Sequence, residues 1–169
     1  MAFPGVLRAC EPEPWHDLPV DALDRAILSQ LQVDGRLTNV ELAERVRLSP
    51  SPCLRRVRAL ERAGAIRGYH ADIDPAAVDR GFEVTVHVEL TLKDRATVEA
   101  FEAGIAAFDE VVECRRMFGL PDYIVRVAVA DQAAYEAFYM NKLAELPGLA
   151  RVNSQFTMKM VKRGGGVPI

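Results

Sequence analysis

Hydrophobic positions recur along this chain with two periods, and the change from one to the other divides it. From Asp21 the spacing is helical: Leu23, Ile27, Leu28 and Leu31 share one stripe, Asp21 stands where it can cap the first turn, and Gly35 stops the run. Thr38-Asn39-Val40-Glu41 reads as a capping box, in which the Thr hydroxyl and the Glu carboxylate each satisfy one orphan backbone amide. Leu42, Ala43 and Val46 then form the apolar side of a short second helix, and Arg47-Leu48 a tight break. Ser49 caps a third helix that runs to Ala63, Pro50 sits where a first-turn proline costs no hydrogen bond, and Gly64 ends it. Two helices joined by a short turn, after another helix, predict a helix-turn-helix over residues 38–63.

After Gly64 the period falls to two. Residues 65–73 read as a strand leading out of the domain. Val84, Val86, Val88, Leu90 and Leu92 alternate with Glu83, Thr85, His87, Glu89 and Thr91, the pattern of a half-buried strand. Val98, Phe101, Ile105 and Phe108 predict a helix over 96–108; 111–118 and 123–130 read as strands around a Gly119-Leu120-Pro121-Asp122 turn. A helix over 133–146, a break at Pro147-Gly148 and a strand over 150–161 complete a β-α-β-β-α-β order. The fold class expected is therefore α+β: an N-terminal helix-turn-helix (winged-helix-like) domain and a C-terminal ferredoxin-like βαββαβ sandwich. The expected domains are a disordered tail over 1–19, the helix-turn-helix over 20–68, a linker strand over 69–82, the sandwich over 83–163 and a loose tail over 164–169.

Charge changes the picture in one place. The net charge is −3, yet residues 21–70 hold nine arginines, no lysine and six acids. Arginine is the better fork for phosphate and for guanine edges, so an acidic chain still carries a candidate polyanion-binding segment. In the third helix, Val57, Cys53 and Leu60 share one face, while Arg55, Ala59 and Arg62 fall opposite, Ser51 and Pro52 lie near them, and Arg56 and Arg58 flank. A face of arginines and small residues suits the DNA major groove. Arg55 is the expected base contact; Arg56 and Arg58 are expected on phosphates; Thr38, Asn39, Ser49, Ser51 and Pro52 complete the expected DNA-binding set. The competing reading pairs several of these arginines with Glu61 or Glu44.

Other classes find less support. No apolar run reaches the roughly 18 residues of a membrane span, and no signal-peptide core stands at the start, so a cytoplasmic protein is expected. Cys10, Cys53 and Cys114 are scattered and suggest neither a disulfide framework nor a zinc site. Neither a phosphate-binding glycine loop nor paired carboxylates stand out; no metal, no cofactor and no enzymatic activity are expected.

The ordered motifs resemble the Lrp/AsnC (feast/famine) regulators: Asp21-x-x-Asp24-x-x-Ile27-Leu28, Asp34-Gly35-Arg36, Leu48-Ser49-Pro50-Ser51-Pro52-Cys53-Leu54, Arg56-Val57-x-x-Leu60-Glu61 and Gly64-x-Ile66-x-Gly68-Tyr69, then Glu113-Cys114, Gly119-x-x-Asp122-Tyr123, Leu146-Pro147-Gly148 and Val161-Lys162. The resemblance spans about residues 20–163 and implies a transcriptional regulator acting on double-stranded DNA. It implies an amino acid or related metabolite as effector, and a homodimer that assembles further, as to an octamer. It places the effector near Gly119, Pro121, Asp122, Tyr123 and Ser154. Asp122 is the expected partner of an ammonium, and amides around Gly119, with Ser154, the expected partners of a carboxylate. Ordinary turn chemistry explains Gly and Asp equally well. Two alternatives stay open: a haem-precursor decarboxylase on the same architecture, for which His70 and His87 are the only histidines beyond the tail, and a metabolite-sensing module that binds no DNA.

Overall fold

A computed structural model of the chain describes residues 20–162 and 167–169, so the expected tail over 1–19 lies outside the described residues. The chain divides into two compact units between Asp72 and Ile73, with Lys162 and residues 167–169 belonging to the first.

The first unit holds α1 (Ala22–Val33), α2 (Asn39–Arg45) and α3 (Pro50–Arg62). Side chains close both early N-termini. Asp21 and Asp24 form a capping box on α1, and Thr38 and Glu41 form the expected one on α2. Gly64, at φ +73°, takes the left-handed position that ends α3, and its N–H donates to the Glu61 carbonyl. The turn between α2 and α3 uses Arg47 at φ +57°, a conformation that carries a steric cost for a side-chain-bearing residue. Ile27, Leu42, Ala43, Val46, Cys53 and Leu60 form the buried core, and Val57 packs half-buried against it.

No strand forms over residues 69–81. Ile66 packs under the helices, but Tyr69 and Ile73 stay exposed, and a period-2 pattern without a face to bury or an edge to pair has nothing to hold it extended. A 3₁₀ turn over Pro75–Val78 stands there instead, its Asp74 carboxylate accepting from the Ala76 N–H. Of the tail expected to be loose, the described part contributes the Val167 carbonyl, which accepts a 2.7 Å hydrogen bond from the Gln32 amide.

The second unit runs β1 (Phe82–Leu90), α4 (Arg95–Ala106), β2 (Val111–Arg116), β3 (Tyr123–Val129), α5 (Gln132–Asn141), a 3₁₀ turn (Leu143–Glu145) and β4 (Leu149–Phe156). The sheet order is β2-β3-β1-β4, antiparallel throughout, as the β-α-β-β-α-β pattern requires. Val84, Val86 and Val88 stand opposite Val127, Val125 and Tyr123. All six are buried beneath Phe101, Ile105, Tyr135 and Phe138 of the helices. Each such side chain contributes about 1.5–3 kcal/mol by leaving water. Several elements are shorter than their periodicity suggests, among them β2, expected to 118 and ending at Arg116. The β1 alternation stops at Leu90, leaving Leu92 exposed. The β4 strand ends at Phe156, opposite Val84; beyond it the Thr157 N–H still reaches the Glu83 carbonyl at 3.4 Å, and Met158 lies in solvent. Helix α5 breaks at Lys142, where φ is −133°, and the following 3₁₀ turn tucks Leu143 fully into the core.

Candidate functional site

Two sites emerge, one in each unit. In the first unit, α3 presents Arg55, Arg58 and Arg62 exposed, with no carboxylate within ion-pair distance among the described residues. The competing pairing with Glu61 or Glu44 is absent there; Glu61 instead accepts from the Tyr69 hydroxyl at 3.1 Å. Arg56 is different. Its Nη1 lies 2.8 Å from both Asp21 Oδ2 and Asp24 Oδ1, the two carboxylates of the α1 cap. The Asp24 carboxylate, followed by that of Asp21, raises the Arg56 pKa further. A phosphate contact by Arg56 would have to use Nη2 or Nε, or share the guanidinium with these two carboxylates.

The start of α3 leaves donors free for a physical reason. A helix N-cap oxygen normally accepts from the second or third residue of the helix. Here Pro50 and Pro52 lack N–H groups, and the Ser49 side chain makes no capping bond. The Cys53 N–H is taken by the Ser49 carbonyl. That leaves the exposed Ser49 hydroxyl and the Ser51 N–H and hydroxyl as polar groups at the helix tip. Thr38 and Asn39 are more occupied. The Thr38 hydroxyl donates to Glu41 Oε2 at 2.8 Å, and Asn39 Nδ2 donates to the Pro50 carbonyl at 2.8 Å, tying the starts of α2 and α3 together.

In the second unit, a cleft of about 280 Å³ opens where β1 ends and β3 begins. That is just below the size range of small-molecule sites, roughly 300–1,000 Å³. Of the residues expected to hold the effector, Gly119, Asp122 and Tyr123 line it; so do Lys93, Arg116 and Phe118. Asp122 is buried, with Oδ2 accepting from the Leu90 N–H at 2.9 Å and Oδ1 held 2.6 Å from Lys93 Nζ. The Lys93 ammonium and then the Leu90 N–H hold the Asp122 carboxyl below the usual carboxylate range. Gly119, at φ +122°, needs to be glycine, and the space beside its Cα is open. Pro121 follows a cis peptide bond and does not line the cleft. Tyr123 is an anchor as well as a wall: it is buried, its ring centroid lies 4.6 Å from that of Phe101, and its hydroxyl donates to Glu102 Oε1 at 2.9 Å.

Ser154 is not brought to this cleft. It stands opposite Val86, two residues along β1 from the Tyr123 partner Val88, and its Oγ lies 2.6 Å from the Tyr135 hydroxyl on α5. Lys93 and Arg116 are the lining charges that the linear sequence does not single out. Antiparallel pairing of β1 with β3 brings the loop after Leu90 alongside Asp122, a proximity set by register.

An unpaired arginine face on the third helix of a helix-turn-helix, in one chain with a separate α+β domain that holds a charged cleft, defines a DNA-binding transcriptional regulator as a class. The family model described as winged helix-turn-helix DNA-binding matches residues 20–67, and that described as the Lrp/AsnC ligand binding domain matches residues 83–167. The leucine-responsive regulatory protein of Salmonella typhimurium is 40% identical over 156 residues, covering 92% of this chain and 94% of that protein. A transcriptional regulator of Neisseria meningitidis, solved with L-methionine, superimposes with a TM-score of 0.83 at 38% identity, covering 88% of this chain and 96% of that one. A feast or famine regulatory protein of M. tuberculosis, also complexed with L-methionine, gives a TM-score of 0.76 at 30% identity over 85% of this chain and 95% of that one. The chain belongs to the Lrp/AsnC family.

Proposed function

We propose that this regulator reads DNA with α3 and adjusts its output to a free amino acid held in the Asp122 cleft. The observation that carries the effector half is a buried carboxylate facing a cavity of metabolite size, beside a glycine turn with open space. The L-methionine found with two structural relatives supports an amino acid as the ligand class. Arg55 takes base edges and Arg58 phosphate, while the Ser49 and Ser51 hydroxyls fix register on the backbone. Arg56 positions the reading helix through Asp21 and Asp24. The protein acts in the cytoplasm as a homodimer or a higher assembly such as an octamer, without enzymatic activity or cofactor. The sheet face bearing Thr85, His87 and Glu89, opposite the helix-covered core residues, is the surface suited to pairing.

The test is Asp122→Asn, which keeps an acceptor for the Leu90 N–H and removes the charge. Operator binding in a gel shift is expected to persist while its response to L-leucine and L-methionine disappears. A wild-type response in the variant overturns the effector site.

A further inference from the structure

Both oxygens of Asp122 already have partners: Oδ2 the Leu90 N–H, Oδ1 the Lys93 ammonium. An incoming ligand ammonium therefore meets a carboxylate whose single negative charge Lys93 already balances. A second cation on Asp122 competes with the lysine for that charge, and Lys93, once displaced, needs another anion. Lys93 is 60% exposed on a flexible stem, whereas Asp122 is held by the backbone of β1 and by the turn it closes, where its carbonyl accepts from the Met117 N–H at 2.8 Å. The lysine is the partner free to move. Arg116, which also lines the cleft, is engaged 3.7 Å from Glu102, and Glu102 in turn accepts from the Tyr123 hydroxyl. Among the lining groups, Lys93 is the cation that amine binding would set loose.

Resting on the amino-acid reading above, we propose that Lys93 is a specificity-determining residue that exchanges partners on binding: a ligand's ammonium replaces it on Asp122, and the ligand's carboxylate receives it. The lysine then acts against the wrong ligand as much as for the right one. A simple amine would strand Lys93 beside two positive charges, and a simple anion would have to draw it away from Asp122 with nothing to replace it. A zwitterion alone leaves every charge paired. This selects α-amino acids as a class and leaves the choice among side chains to the apolar rim.

The proposal predicts effects of opposite sign, which a merely structural lysine would not produce. Calorimetric titration of the full chain with L-methionine, L-leucine and their carboxamides provides the readout, with the carboxamides serving as cations that lack the carboxylate. The wild type should prefer each amino acid to its carboxamide by about tenfold or more, a charge-assisted contact's worth. In Lys93→Met the amino acids should bind about tenfold more weakly and the carboxamides more tightly than in wild type, because Asp122 is then unclaimed. Lys93→Arg should restore the preference. If the wild type binds neither amino acid, the amino-acid reading itself fails and this proposal falls with it. If the wild type binds them and Lys93→Met keeps wild-type affinities, or weakens acid and carboxamide alike, the exchange is refuted and the Asp122 site stands.

Discussion

The side chains buried in the helix-turn-helix come from between Ile27 and Leu60, while those beneath the sheet are drawn from Val84 through Leu143 and depend on strands as distant as Val84 and Phe156 lying side by side. Charge divides the units as sharply. On the sandwich, Lys93, Arg95, Arg115, Arg116, Arg126, Lys142 and Arg151 all have carboxylate partners. On the helix-turn-helix, Arg56 is paired and Arg55, Arg58 and Arg62 are not, among the described residues. A unit that meets a polyanion leaves its cations without internal partners, since each internal pair would have to be broken to bind. The sandwich unit pairs most of its cations internally, with Arg80 and Lys159 the exceptions among the described residues.

The largest expected effects test the difference between the cores. Phe101→Ala removes a fully buried ring packed on Tyr123 and should cost about 3–5 kcal/mol; Leu60→Ala in the smaller core should cost about 2–5 kcal/mol. Urea unfolding followed by circular dichroism measures both, and a larger loss for Leu60→Ala would reverse the ranking of the two cores. A smaller effect probes the charges. Arg58→Ala should lower the salt dependence of operator binding by about one phosphate's share, a slope change of about 0.9, without moving the melting temperature. Arg56→Ala should lower the melting temperature and change the slope less, since its guanidinium is held by Asp21 and Asp24. Equal slopes for the two variants, with equal melting temperatures, would erase the distinction between a reading arginine and a positioning one. The smallest effect concerns the turn. Arg47→Gly removes the left-handed strain at φ +57° at the cost of greater chain entropy when unfolded, so a net gain of about 0.5 kcal/mol is expected by thermal melting. A loss instead would mean that the Arg47 side chain contributes more than its backbone costs.

The helix-turn-helix was largely legible because its signals are local. Asp21 and Thr38 sit three residues before Asp24 and Glu41, and a cap operates over that distance whatever surrounds it. Ser49 stands at its N-cap position without a side-chain capping bond; Pro52 removes one of the two N–H groups that its hydroxyl could have used. Length was misread where the observed strand stops before the periodicity does, as at Leu92 and Met158. Of the residues expected at the effector site, those of one loop, Gly119, Asp122 and Tyr123, line one cleft, while Ser154 turns to Tyr135.

By itself the sequence determined the helical and strand periods, the caps, the arginine face of α3 and the order of elements, since each depends on residues within a turn or two of one another. Only the tertiary structure decided which charges are spent and which are free. Arg56 is paired because α1 brings Asp21 and Asp24 to it, and Lys93 reaches Asp122 because β1 lies antiparallel to β3. Both are contacts across an element boundary, where spacing along the chain carries no information about distance in space.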